Sequence, residues 1–240
     1  MNDSKVLFAV SSHDDAPGAG HVDIYDVQTK RWSTTTLVSG GRTNFCGTVW
    51  KHLAIWAGGG PNRGEPKSRA VDAYDTLSKK WIRYNMSIGR DLLACATVAN
   101  ITVFAGGSAP QVNQSETAVV DIWDHTTDTW STAKLSQARK KPKAVAAGNK
   151  IVIAGGEIAK KPPPGMFGGY TDVVDIFDTD TGVWSTAKLS MPRQYFGAAA
   201  ATPELAVFGS TTPLHRPTWH VYENTIAALI ALTHILNSKH

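Results

Sequence analysis

Cysteine is almost absent from this 240-residue chain, which has only Cys46 and Cys95. A scaffold held by several disulfides is excluded, and two free thiols are the expectation for a cytosolic protein, where disulfides are rare. Long apolar runs are missing too, and no tract approaches the ~20 residues that a membrane-spanning helix needs. Met1-Asn2-Asp3-Ser4-Lys5 leads directly into strand-like Val6-Leu7-Phe8-Ala9-Val10, without the basic, apolar and small-residue regions of a secretory signal in order. A cytoplasmic location is therefore expected. Secretion is the alternative, because Asn2, Asn85, Asn100 and Asn113 each begin an Asn-x-Ser/Thr acceptor sequence. No glycine-rich loop opens a helix, so no phosphate cradle is expected.

What the chain does have is repetition. One pattern recurs four times: Val22-Asp-Ile-Tyr-Asp-x-x-Thr-x-x-Trp32, Val71-Asp-Ala-Tyr-Asp-x-x-Ser-x-x-Trp81, Val120-Asp-Ile-Trp-Asp-x-x-Thr-x-x-Trp130 and Val174-Asp-Ile-Phe-Asp-x-x-Thr-x-x-Trp184. Each tryptophan is followed by an arginine, at 42, 90, 139 and 193, and a small-residue pair begins 16 residues after each arginine: Gly58-Gly59, Gly106-Gly107, Gly155-Gly156 and Gly209-Ser210. Between arginine and glycine lie two short β-rich runs with a polar hinge, the signature of a hairpin. A third run is Val-Asp-x-aromatic-Asp, and a fourth begins at the tryptophan. Asp26, Asp75, Asp124 and Asp178 are placed to accept bonds from backbone amides two residues on, which makes the linker between these two runs a turn. The expected unit is a four-stranded antiparallel sheet running from arginine to arginine, and repeats of about fifty residues stack such sheets into one domain.

The glycine doublet after a hairpin, the aromatic within Val-Asp-x-Tyr-Asp and the tryptophan ten residues past the valine resemble the kelch repeat, from residue 5 to about 210. The resemblance implies an all-β, kelch-type β-propeller, with glycines that let neighbouring backbones approach and aromatics that fill the space between blades. The reading divides the chain into a partial first blade at 1–41 holding strands two to four, complete blades at 42–89, 90–138 and 139–192, a partial last blade at 193–223, and an apolar tail of helical pattern at 224–240. Four to five blades are fewer than the six or seven usual in the family, so an incomplete propeller is expected. Truncation, closure of the first blade by Gln194 to Ala200, and assembly with another chain are the competing explanations.

Strand order assigns the loops to faces. The loops from strand two to three, and from strand four to the next strand one, share a face. The strand-two-to-three loops are long and dissimilar, whereas the Asp-x-x-Thr turns opposite are nearly constant, and variable loops on a fixed scaffold are where binding tends to reside. Residues 131–170 hold eight Lys or Arg against one acid, Glu157, while the whole chain carries a formal charge of +4. Such a concentration attracts acidic partners. Candidate partner-binding residues are Arg42, Asn44, Arg63, Arg139, Lys140, Lys141, Lys143, Lys160, Lys161 and Tyr195. For the recurring arginines, fixing a loop is at least as good a reading as meeting a ligand. Asn44, Leu92, Lys141 and Tyr195 occupy one repeat position with four different side chains, the pattern expected of specificity.

The expected function is a protein interaction module binding a partner with an acidic segment. A kelch-type enzyme or carbohydrate-binding propeller is the alternative. Neither a catalytic constellation nor a metal or cofactor site is expected; His13-Asp14-Asp15 with His21 is a solvated loop. Nucleic acid ranks last among partners because no recognition helix or RNA-binding signature accompanies the charge. Self-association through open sheet edges is a further route to assembly.

Overall fold

A computed structural model describes residues 5–9, 20–60, 66–113, 115–159, 169–193, 197–202 and 205–209. The chain is all-β, and the only helical element among these residues is a 3-10 turn, Pro110–Val112. The first sheet has three antiparallel strands, β1 (Lys5–Ala9), β2 (His21–Asp26) and β3 (Arg31–Thr36). The second holds β4 (Cys46–Trp50), β5 (Leu53–Ala57), β6 (Ala70–Asp75) and β7 (Lys80–Asn85). The third holds β8 (Ala94–Val98), β9 (Ile101–Ala105), β10 (Val119–Asp124) and β11 (Thr129–Lys134). In the fourth, β12 (Lys143–Ala147) and β13 (Lys150–Ala154) pair with β16 (Val173–Asp178) and β17 (Trp184–Lys188), while β14 (Glu157–Ile158) and β15 (Gly169–Tyr170) form a separate ribbon in the connecting loop. The hairpin of β18 (Gly197–Thr202) and β19 (Leu205–Gly209) completes the set.

These blade-like sheets pack on one another in sequence order. Strand two of each complete sheet is the apolar spine: Leu53-Ala54-Ile55-Trp56-Ala57 is buried throughout. Phe104 of β9 inserts among Ile55, Val71 and Met86 of the sheet before it, and Ile151 and Ile153 of β13 do the same against Val103 and Val120. Burial of one such side chain contributes about 1.5–3 kcal/mol. The first strands β4, β8, β12 and β18 stand side by side along one margin. β18 pairs with β19 and lies beside β12, so of the segment Gln194 to Ala200 the described residues 197–200 do not complete the first sheet.

The local rules act as the repeat predicts. Asp26, Asp75, Asp124 and Asp178 each accept from the amide two residues on, at 3.0, 2.8, 2.7 and 3.1 Å. A residue with positive φ ends each turn: Lys30, Lys79, Asp128 and Gly182. The glycine doublets permit close approach between units. A Cβ on Gly58 would lie 2.4 Å from the Arg90 carbonyl oxygen, and one on Gly106 would lie 2.6 Å from that of Arg139. The second glycine of each pair, Gly59 or Gly107, donates its amide to that same carbonyl at 2.9 Å.

The cysteines overturn the expectation of free thiols. Cys46 on β4 and Cys95 on β8 form a disulfide, with Cα atoms 5.9 Å apart. Cys46 lies four residues after its arginine and Cys95 five after its own, so alternation along the strands turns the two side chains toward each other. Thr48 and Thr97 are hydrogen-bonded below them at 3.0 Å, and Trp50 donates its indole N–H to Asn100 at 3.2 Å.

Candidate functional site

Three of the four recurring arginines are the largest fully buried side chains among the described residues. Arg42, Arg90 and Arg139 are 2%, 0% and 0% exposed. Each enters its own sheet and pairs with the aspartate of the Val-Asp segment: Arg42 with Asp72 at 3.0 Å, Arg90 with Asp121 at 2.6 Å and Arg139 with Asp175 at 2.6 Å. Arg90 also donates to the carbonyl of Phe104 at 2.9 Å, and Arg139 to that of Ile153 at 3.1 Å. Burial pulls the Arg90 and Arg139 guanidinium groups below their ordinary pKa, while Asp121 and Asp175 pull back. This placement favours the loop-fixing role of Arg42 and Arg139 over contact with a partner.

A third member of this arrangement escaped sequence reasoning. Three residues before each arginine stands a serine: Ser39, Ser87, Ser136 and Ser190. The Ser39 hydroxyl donates to Asp72 at 2.7 Å, and the amides of Ser87 and Ser136 donate to Asp121 and Asp175 at 2.8 and 2.9 Å. Each aspartate thus receives a Ser-x-x-Arg segment arriving from the preceding sheet. The signal was the invariant spacing, which the commonness of serine conceals.

On the loop face, the second residue past Arg42, Arg90 and Arg139 lies in the left-handed region: Asn44 at φ 59°, Leu92 at φ 55° and Lys141 at φ 56°. The amide of Leu92 donates to the carbonyl of Asn44 at 2.9 Å, and that of Lys141 to Leu92 at 2.7 Å. One continuous hydrogen-bonded row therefore links three sheets and displays three unlike side chains. Strained backbone held by such a row is a common attribute of binding sites. Tyr195, the fourth residue predicted for this position, lies outside the described residues, as do Arg63, Lys160 and Lys161.

The basic cluster is more neutral than the sequence window implied. Lys140 bridges Glu116 and Glu157, both at 3.1 Å, and Lys141 pairs with Glu157 at 2.8 Å. Glu116 comes from the loop of the preceding sheet, beyond the 131–170 window. These two carboxylates hold the Lys140 ammonium above its ordinary pKa despite partial burial, and the two lysines hold Glu157 below its own. Lys67 and Asp91 form the corresponding bridge one sheet earlier, at 3.1 Å. Lys143, the first residue of β12, is exposed.

The opposite face carries an aromatic group. His125 stacks on Trp50, with centroids 4.1 Å apart, meets Trp123 at a tilt with centroids 4.0 Å apart, and its Nε2 is 2.7 Å from the Thr102 hydroxyl. Burial pushes its pKa down to about 4, against the opposing pull of Asp128 and Asp124. Among the described residues no group of three or more His, Cys, Asp or Glu could hold a metal ion. Nor is any helix among them long and apolar enough to cross a membrane. No family model matches the chain, and no curated protein does.

Proposed function

We propose that the chain is a kelch-type β-propeller scaffold and serves as an interaction module, binding a protein partner on the face that carries the strand-two-to-three loops. The observation that supports this most is the row Asn44, Leu92 and Lys141, which fixes the backbone at one repeat position while varying the side chain. Preference for an acidic segment rests on Lys143, with Lys160 and Lys161, since Lys140 and Lys141 already neutralise Glu116 and Glu157. A carboxylate from the partner competes with Glu157 for these lysines. The Cys46–Cys95 bridge favours maturation in an oxidising compartment over the cytoplasm.

Placing a photo-crosslinking residue at Asn44 or Lys143, and in parallel at Lys30 or Lys79 on the turn face, tests the reading. Partner adducts should form from the first pair of sites and not from the second. Equal crosslinking from both faces removes the proposal.

A further inference from the structure

The fold treats the Asn-x-Ser/Thr acceptor sequences of this chain differently. Asn2 lies outside the described residues, and the sequence at Asn113 spans Gln114, which does too. Asn85-Met86-Ser87 and Asn100-Ile101-Thr102 are described throughout. Asn100 is engaged in the packing of the second sheet on the third: its carboxamide oxygen accepts from the Trp50 indole N–H at 3.2 Å, and its carbonyl accepts from the His125 amide at 2.8 Å. Thr102 is buried, with its hydroxyl 2.8 Å from that of Thr97 and 2.7 Å from His125 Nε2.

Asn85 is placed in the opposite way. It is the last residue of β7, the outermost strand of the second sheet, and it is exposed. No hydrogen bond among the described residues engages its carboxamide. Ser87 is exposed as well; its amide is held by Asp121 at 2.8 Å, while its hydroxyl makes no hydrogen bond among the described residues. The repeat gives the position a further meaning. Four residues past the tryptophan, where β7 has Asn85, β11 has Lys134 and β17 has Lys188, and all three are exposed. A lysine on an edge strand discourages pairing with another chain. Of the three four-stranded sheets the second alone lacks that lysine, although its edge strand exposes Ile82.

We propose that Asn85 is an N-glycosylation site, whose glycan stands where the next two sheets carry lysine and covers the free edge of β7. The Cys46–Cys95 bridge supports this from a second direction, because the oxidising compartment in which such a bond persists is also where asparagines of secreted proteins are glycosylated. In the transfer, Nδ2 of Asn85 bonds to the anomeric carbon of an oligosaccharide carried on a lipid pyrophosphate. The bond from that carbon to the pyrophosphate oxygen breaks, the pyrophosphate leaves with the electron pair, and Nδ2 gives up one proton. The outer strand is three strand spacings, about 14 Å, from β4, so the glycan leaves the inner row of Asn44 and Leu92 open. The inference rests on the oxidising compartment read from the disulfide and not on the partner-binding face.

Tryptic mapping of the intact protein isolated from its native cells tests this. Treatment with a peptide-N-glycosidase in heavy-oxygen water should convert Asn85, in the peptide of residues 84–90, to labelled aspartate and leave Asn100 as asparagine. In protein secreted from a eukaryotic host, Asn85→Gln and Ser87→Ala should each remove one whole glycan from the intact mass, while Ser87→Thr retains it. The urea midpoint should not fall in Ser87→Ala, since Ser87 reaches Asp121 through its amide. Unmodified Asn85 in the native protein overturns the proposal, as does label on Asn100 in place of Asn85 or a glycan mass that survives Asn85→Gln. A non-reducing digest of the same sample separates the two readings. A Cys46–Cys95 cross-linked peptide beside bare Asn85 removes the glycan alone, whereas free thiols beside bare Asn85 remove the compartment as well.

Discussion

A guanidinium buried in a β-sheet needs a counter-charge beside it, and each complete sheet provides one by the same route. Through Nη2, Arg90 meets Asp121 and the Phe104 carbonyl, and Arg139 meets Asp175 and the Ile153 carbonyl. Removing one partner of such a pair strands a charge in the interior. Asp121→Asn should therefore cost about 3–5 kcal/mol in urea unfolding, while the same change at exposed Asp180 should cost under ~0.5 kcal/mol. His125 makes a second prediction at this scale. Its folded pKa of about 4 lies below the unfolded value of 6.5, so the unfolded chain binds the proton first. Stability from this group is complete above pH 6.5, declines as pH falls to about 4, and is flat below that. His125→Phe should flatten this part of the stability profile, and urea midpoints at half-unit pH steps from 7 to 4 measure it.

At the scale of the element, the Asp-x-x-Thr turn was legible in the sequence because its physics is local. An aspartate binds amides two and three residues ahead whatever surrounds it, as Asp75 does with Leu77 and Ser78. The left-handed residue that closes the turn was not legible, since Lys30, Lys79, Asp128 and Gly182 share no side-chain chemistry. Non-glycine residues there hold a disfavoured conformation. Lys79→Gly should raise stability by ~0.5–1 kcal/mol and Gly182→Ala should lower it by a similar amount, both measured by thermal unfolding. The glycine doublets were legible as punctuation, but what they make room for, the arginine carbonyl of the next sheet, appears only once the sheets are packed.

Across the whole molecule, consecutive sheets are joined by apolar faces, by Ser-x-x-Arg segments and, between the second and third, by a disulfide. The Cys46–Cys95 link closes a loop of sequence separation 49. Replacing both cysteines by serine should lower unfolding stability by about 2–4 kcal/mol, most of it through the greater freedom of the unfolded chain. Reduction of the native protein should produce the same loss, measured by comparing urea midpoints with and without reductant. Equal midpoints would mean that the apolar contacts between β4 and β8 suffice alone. The candidate site also belongs to this scale. Asn44, Leu92 and Lys141 were identifiable as departures from the repeat, but the hydrogen bonds that join them cross two boundaries between sheets.

The sequence by itself determined the four-stranded unit, its turns and the order in which the units follow, because periodicity, glycine placement and aspartate capping act within a few residues. It also marked which positions vary. Only the tertiary structure decided what the charged and reactive side chains do. Whether an arginine faces solvent or a buried carboxylate, whether Lys140 is free or tied to Glu116, and whether two cysteines meet all depend on neighbours distant in sequence. The cost of burying an unpaired charge makes those meetings obligatory, and the packing of one sheet on the next selects the partners.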